Sequence, residues 1–421
     1  MFLRTTLSVL TVLIIVLLSP VTVYAQPATP AVFTDTDLDT AIQTAADKSG
    51  FVIANFTAKT SIPSHNMDKS SWKHKDLAAW IDEHAVAVRI YVDEDSQAAE
   101  TYHIKDTPTH VIFRHGEEFD RATGYFRGKE LLEWFKLVEN GERRLDKARA
   151  LHGDRMDENG EVDVIAQYQL AGDYLENKEY ESATDEYLWL WEHMIGFRPS
   201  MVGVRGSYMA NDIKGLIADY PPARELFVVI RDETEQRLKQ SPDWDDLGDW
   251  IVLNEMLGDD DRTLAWFDRI KQDPQRLAAA QRVAYRLDQT LRKHERWHDL
   301  GIVYADPLEY VQGRAKILEP VPSLSEEQNR ERAPVVLRIL IENAAQTYAG
   351  CLAAGRDTEA QSIADYLPTV VDPDTVRLVM INMSIEAGVA RPVHLQWLDT
   401  VESEPAGLRE KIESALSPAP E

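Results

Sequence analysis

The chain has 421 residues, more than one ordinary domain holds, and 44% of them are apolar, ample for buried cores. Against 45 Lys and Arg stand 71 Asp and Glu, a net charge of −26, which argues against nucleic acid or an anionic membrane surface as partner, because phosphate binding needs clustered cations. The single cysteine, Cys351, cannot close an internal disulfide, and its small-residue context AAQTYAGCLAAG predicts a buried structural thiol.

In chain order, Arg4 is followed by TTLSVLTVLIIVLLSPVTVYA. The apolar run Leu7–Leu18 is short for a membrane span, Pro20 ends it, and Val23 and Ala25 are small at the two positions a signal peptidase reads. This predicts a cleaved signal over 1–25, a mature chain from Gln26 and a periplasmic or secreted location; an uncleaved anchor is the alternative, and the one route to a membrane. A Pro-rich linker, 26–32, follows.

From 33 to 138 strands and helices alternate. TDTDLDTAIQTAADKSG predicts a helix, with Leu38, Ile42 and Ala45 on one face and Gly50 at its end. FVIANF is a short, almost wholly apolar strand of the kind buried on both faces. MDKSSWKHKDLAAWIDEH is helical with an irregularity near Ser70-Ser71, AVAVRIYVD is a second buried strand and SQAAETYHI a short helix. THVIFRHG and EEFDRATGYF are two strands about a turn at Gly116, and GKELLEWFKLV is an amphipathic helix. After a connecting segment, 139–160, helical periodicity dominates 161–417, with loops expected at GFRPSMVGVRGSY, DYPPA, KQSPDW and LEPVPSLS.

A repeat stands out in the helical part. In LAGDYLENKEYESATDEYLWLW, Leu170, Ala171, Tyr174, Tyr180, Ala183, Tyr187 and Leu190 resemble the tetratricopeptide pattern of large, small and aromatic positions. Small residues let two antiparallel helices approach while the aromatic ones are buried between them. Gly355, Ala360 and Ala364, then Trp297, Leu300, Tyr304 and Pro307, and more weakly LNEMLGDDDRTLAWF, are degenerate echoes of it. The resemblance implies a helical array with a concave surface suited to peptides or proteins.

The element order of 33–138 resembles that of thioredoxin. A buried strand runs straight into Phe56-Thr57-Ala58 and a short loop, Thr107-Pro108-Thr109 precedes an apolar strand as the family's cis-proline loop does, and Gly124 precedes the closing helix. The predicted class is therefore an α/β thioredoxin-like domain followed by an all-α tetratricopeptide-like array. Laid on the family pattern, the two dithiol positions are Ser61 and Ser64, with Pro63 kept between them and Thr60 in place of the tryptophan. Asn55 stands where the family usually buries a proton-accepting carboxylate. Thiol–disulfide exchange needs a thiolate and a second sulfur, so the resemblance implies a domain without redox activity. Ser61 is expected to cap a helix. Backbone recognition needs no sulfur, so Thr60, Ser61, Ile62, Pro63, Thr107, Pro108 and Gly124 form a candidate peptide groove.

Four further stretches carry chemistry-bearing residues. His294-Glu295-Arg296-Trp297-His298 is a literal H-E-x-x-H, which on one helix places two imidazoles on one face for zinc with the glutamate as base. The flanking Arg292, Lys293 and Arg296 oppose a dication there. The Gly-rich stretch with Arg198 and Arg205 is an inter-helix turn or an anion cradle. DEDS at 93–96 and GDDD at 258–261 are weak cation-binding candidates. The reading these observations favour is an exported adaptor or chaperone-like protein that binds a protein or peptide, with no catalysis, cofactor or metal. A zinc-dependent hydrolase and an acidic cation-binding or structural envelope protein are the alternatives.

Overall fold

The computed structural model describes residues 29–417 except 49, 157–159, 242 and 323–325. The expected signal segment, 1–25, lies outside the described residues. Two compact units are present, one ending at Glu186 and the other beginning at Tyr187.

The first unit is built on a five-stranded mixed sheet of β1 (Phe33–Thr34), β2 (Phe51–Thr57), β3 (Ala85–Tyr91), β4 (Thr109–Arg114) and β5 (Glu117–Thr123), in the order β1-β3-β2-β4-β5. β1, β3 and β2 run parallel, and β4 and β5 run antiparallel. Its helices are α1 (Leu38–Lys48), α2 (Ile62–Lys69), α3 (Lys75–His84), α4 (Ser96–Thr101), α5 (Gly128–Glu139), α6 (Arg144–His152) and α7 (Val164–Glu176), and α8 (Tyr180–Phe197) continues past the unit's end. All seven residues of β2 are buried because both faces of the sheet carry a core. Successive side chains of a strand point to opposite faces. Phe51 and Ile53 therefore join Met67, Trp72, Leu77, Ile81, Leu131 and Phe135, while Val52, Ala54 and Phe56 join Leu38, Ala41 and Ala45. The irregularity expected at Ser70-Ser71 is a break between α2 and α3, with a 3₁₀ turn over Ser71–Lys73. The Gly116 turn joins β4 to β5, with His115 and Gly116 both at positive φ.

In α7 and α8 Leu170, Ala171, Tyr174, Ala183 and Tyr187 are buried and Tyr180 is half-buried. The second unit is helical throughout its described elements. One of its cores gathers Leu340, Ala344, Ala345, Tyr348, Cys351, Ala360, Ile363 and Leu367. Burial pushes the Cys351 thiol up to about 12, so it stays protonated and inert. No helix among the described residues is long and apolar enough to cross a membrane.

Two sequence expectations are corrected here. GFRPSMVGVRGSY is not an open turn: a 3₁₀ turn at Pro199–Met201 leads through Val202–Val204 and a π-helical turn at Arg205–Met209 into the helix Ala210–Asp219. Gly206 lets the Arg286 guanidinium lie close against this helical run and donate to the Gly206 carbonyl at 2.7 Å; a Cβ there would push that flexible side chain aside. Nor is the stretch an anion cradle, since Arg205 is buried and held by both oxygens of Asp249. The H-E-x-x-H stretch is likewise not one helix. The helix Ala284–Lys293 ends there, Glu295 takes φ 52°, and a new helix starts at Trp297. His294 pairs with Asp260 at 2.9 Å and His298 lies beside Asp299 at 3.4 Å, so the shared zinc-binding face does not exist.

Candidate functional site

β2 delivers the chain into the loop at Thr60. Ser61 caps α2 as its spacing predicts: its Oγ accepts from the Ser64 N–H at 3.4 Å. The same hydroxyl donates to the Thr107 carbonyl at 2.9 Å, and Ser64 Oγ donates to Ser61 Oγ at 2.9 Å. These bonds tie the α2 loop to the Thr107–Pro108 loop, whose peptide bond is cis. Gly124, at φ 105°, donates its N–H to the Pro108 carbonyl at 2.7 Å. Thus Ser61, Ser64, Thr107, Pro108 and Gly124 are joined by one set of hydrogen bonds. Thr60, Ile62 and Pro63 are exposed on the α2 side. Tyr125, exposed at 45%, follows Gly124, and its hydroxyl lies 3.3 Å from Ser70 Oγ. Tyr125 was not singled out from the sequence, where nothing distinguishes it from the core aromatics beside it.

Beneath the loop runs a buried polar chain. Asp68 on α2 holds Arg89 on β3 through both oxygens, at 2.9 and 2.5 Å, and neither side chain is more than 7% exposed. Arg89 Nε donates to the Asn55 amide oxygen at 3.1 Å. The Asn55 NH₂ must then face His110 Nδ1, 3.2 Å away, which leaves the imidazole proton on Nε2. Trp72, Phe126 and Trp134 surround that ring, and burial lowers the His110 pKa to about 3, so it is neutral. Asn55 is therefore the central link between Arg89 and His110, both of its amide atoms are paired, and it holds no titrating group at this position. Arg89 within an apolar strand was the sequence signal for it, because a buried charge requires a partner.

α6 and α7 approach the same end of the sheet. Asp120 on β5 accepts from Trp134 Nε1 at 2.8 Å and from the Arg144 N–H at 2.9 Å, while the Arg144 guanidinium binds Asp173. Glu176 accepts the Thr123 N–H at 3.2 Å, one residue before Gly124. Burial drives Asp173 up to about 6 and Glu176 up to about 7 despite Arg144.

A carboxyl whose folded pKa is raised holds its proton in the native state longer than in the unfolded one. The stability it confers is present below its ordinary value of 4.5 and lost as pH rises through about 7. Glu176→Gln should therefore gain on the parent chain between pH 5 and 8, by up to about 3 kcal/mol. Urea midpoints for the two proteins at pH 5, 6.5 and 8 measure this; parallel profiles would refute it.

A five-stranded mixed sheet with cores on both faces, and a helix-capping loop bonded to a cis-proline loop, define a thioredoxin-like domain. Residues 38–139 match the family described as Thioredoxin-like domain. No curated protein matches the chain.

Proposed function

We propose that this is an exported, redox-inactive thioredoxin-like protein that binds an extended protein or peptide segment, its tetratricopeptide-like helices serving as a second binding surface. The observation that carries the reading is the bonding of Ser61 to both Ser64 and the Thr107 carbonyl. Hydroxyls stand at both positions the family uses for sulfur, and they brace the loop instead of reacting. A hydroxyl is too weak an acid to act as the thiolate does, and Asn55 offers no carboxylate to accept a proton. The groove's backbone nevertheless remains available to a ligand, since a carbonyl oxygen has a second lone pair. Ile62 and Tyr125 supply exposed apolar surface beside it. Export rests on the Leu7–Leu18 run and the small residues at Val23 and Ala25.

The acidic alternatives draw no support from their residues. Glu94 pairs with Lys59, Asp93 accepts the Lys59 N–H and Asp95 caps α4. Asp259 is held by Arg224 and Arg231, and Asp260 by Lys293 and His294.

The test uses the chain from Gln26, with a permanently unfolded, carboxymethylated protein as probe and a disulfide-reduction assay beside it. Reduction at the uncatalysed rate is expected, together with saturable probe binding that Ile62→Asp/Tyr125→Asp weakens by roughly tenfold, about 1.4 kcal/mol. Both residues are exposed, so the variant should keep its fold. Catalysed reduction, or binding indifferent to the pair, would sink the proposal.

A further inference from the structure

The sheet has two edges, and they are treated differently. At the β5 edge, Gly124 turns its N–H inward to Pro108, so the N–H of Thr123 points outward, where Glu176 takes it. At the other edge, β1 pairs with β3 over two residues only, Phe33 with Ala87 and Thr34 with Val88. The inner side of β3 stays paired with β2 as far as Thr57 and Tyr91. Among the described residues, Arg89, Ile90 and Tyr91 therefore have an inner strand neighbour and no outer one.

The direction of their backbone groups follows from the alternation of a strand. Thr34 Oγ1 donates to the Ala87 carbonyl, so Ala87 faces outward, and so do Arg89 and Tyr91. Val92, of opposite parity, donates inward to Thr57. The Tyr91 carbonyl is used by the N–H groups of Glu94 and Asp95, both at 2.9 Å. What remains facing out is the Arg89 carbonyl and the Tyr91 N–H. One residue of a parallel strand placed opposite Ile90 fills that pair, donating to the first and accepting from the second.

The space for such a strand exists. Val88–Tyr91 form the floor of a cleft of about 580 Å³ between the start of α1 and α4. Asp37, Asp39, Glu94 and Asp95 line it. The one cation of the lining, Arg89, turns its guanidinium into the core onto Asp68. Lys59 already neutralises Glu94 at this cleft, so the negative charge of its rim is that of Asp37, Asp39 and Asp95 beside an open sheet edge.

We propose that the outer edge of β3 at Arg89–Tyr91 docks an extended, Lys- or Arg-bearing segment of a partner protein, which adds to the sheet as a parallel strand in line with β1. An unpaired edge supplies main-chain hydrogen bonds, and the charge complement selects the side chains. The site is separate from the groove at Ser61 and Pro108, and its test does not depend on that groove.

The test titrates the chain from Gln26 at low salt with fluorescent alternating Lys–Val, Glu–Val and Lys–Pro octapeptides. Saturable binding of the Lys–Val peptide is expected, with the Glu–Val and Lys–Pro peptides weaker by about tenfold or more, since one is repelled and the other lacks half its donors. Asp39→Asn, which removes a rim carboxylate without freeing a cation, should weaken the Lys–Val peptide several-fold. Tyr91→Pro should abolish binding, because it removes an outward N–H that β2 does not use. Hydrogen exchange over residues 88–92 should slow when the peptide is bound. Ile62→Asp/Tyr125→Asp should leave the titration unchanged. Equal binding of the Lys–Pro peptide would overturn strand addition in favour of bare charge attraction. No binding of the Lys–Val peptide, or its loss with the Ile62/Tyr125 pair, would overturn the site.

Discussion

Asp68→Ala should nearly unfold the first unit, with a loss of about 3–5 kcal/mol. The Arg89 guanidinium is 4% exposed and would keep only the Asn55 oxygen as hydrogen-bond partner, with Phe33 packed 4.2 Å over it. Removing the carboxylate leaves a buried cation against the Phe33 ring, where water cannot restore its hydration. The pair itself need not be strongly stabilising, because its formation already spends most of its attraction on desolvation. Asp68→Leu/Arg89→Met should therefore recover much of the loss. Recovery stays partial, since Asn55 then has an amide oxygen without its donor. Urea unfolding of the three proteins decides the matter. A single variant within about 1 kcal/mol of the parent would mean that the network is not as enclosed as described.

The second large effect lies in the helical unit. Gly301→Ala places a Cβ 2.0 Å from the Gly350 carbonyl oxygen and 2.7 Å from the Ala354 Cβ. Here the helix Trp297–Val303 crosses Glu326–Ala353 at backbone contact. A flexible side chain could move away, but backbone within a long helix cannot, so the helices must separate. Overpacking of this kind costs about 1–3 kcal/mol in ordinary cores, and backbone contact places this case at the upper end or beyond. Gly350→Ala meets its nearest atom, the Gly301 nitrogen, at 3.0 Å and should be milder. Gly313→Ala meets nothing within 4 Å in the helix Pro307–Ala315 and should stabilise by about 0.5–1 kcal/mol. Thermal melts that failed to rank the three in this order would contradict the described crossing.

Much of the first unit was legible because its signals are local. A run such as FVIANF has no polar face to show to water, so it had to be an interior strand, and Ser61 before Ile62-Pro63 marked a helix start. Other features were illegible for equally physical reasons. H-E-x-x-H has the spacing of one helical face, yet Glu295 adopts a left-handed conformation, with the Arg296 N–H closing back on the Leu291 carbonyl. That closure normally announces itself with glycine, and here a glutamate occupies it. The helix over Arg205–Met209 was hidden because Gly203 and Gly206 read as turn residues, whereas Gly206 serves a guanidinium 80 positions later in the chain.

Residue order alone determined the α/β-then-α organisation of this protein and the absence of sulfur at Ser61 and Ser64, because composition and short-range periodicity are properties of neighbours in sequence. Only the tertiary structure decided that Arg89 turns inward to Asp68 and Asn55, that Glu176 closes one sheet edge and that β1 leaves the other open. Partners for buried charges and for strand edges are chosen by proximity in space, and spacing along the chain does not encode them.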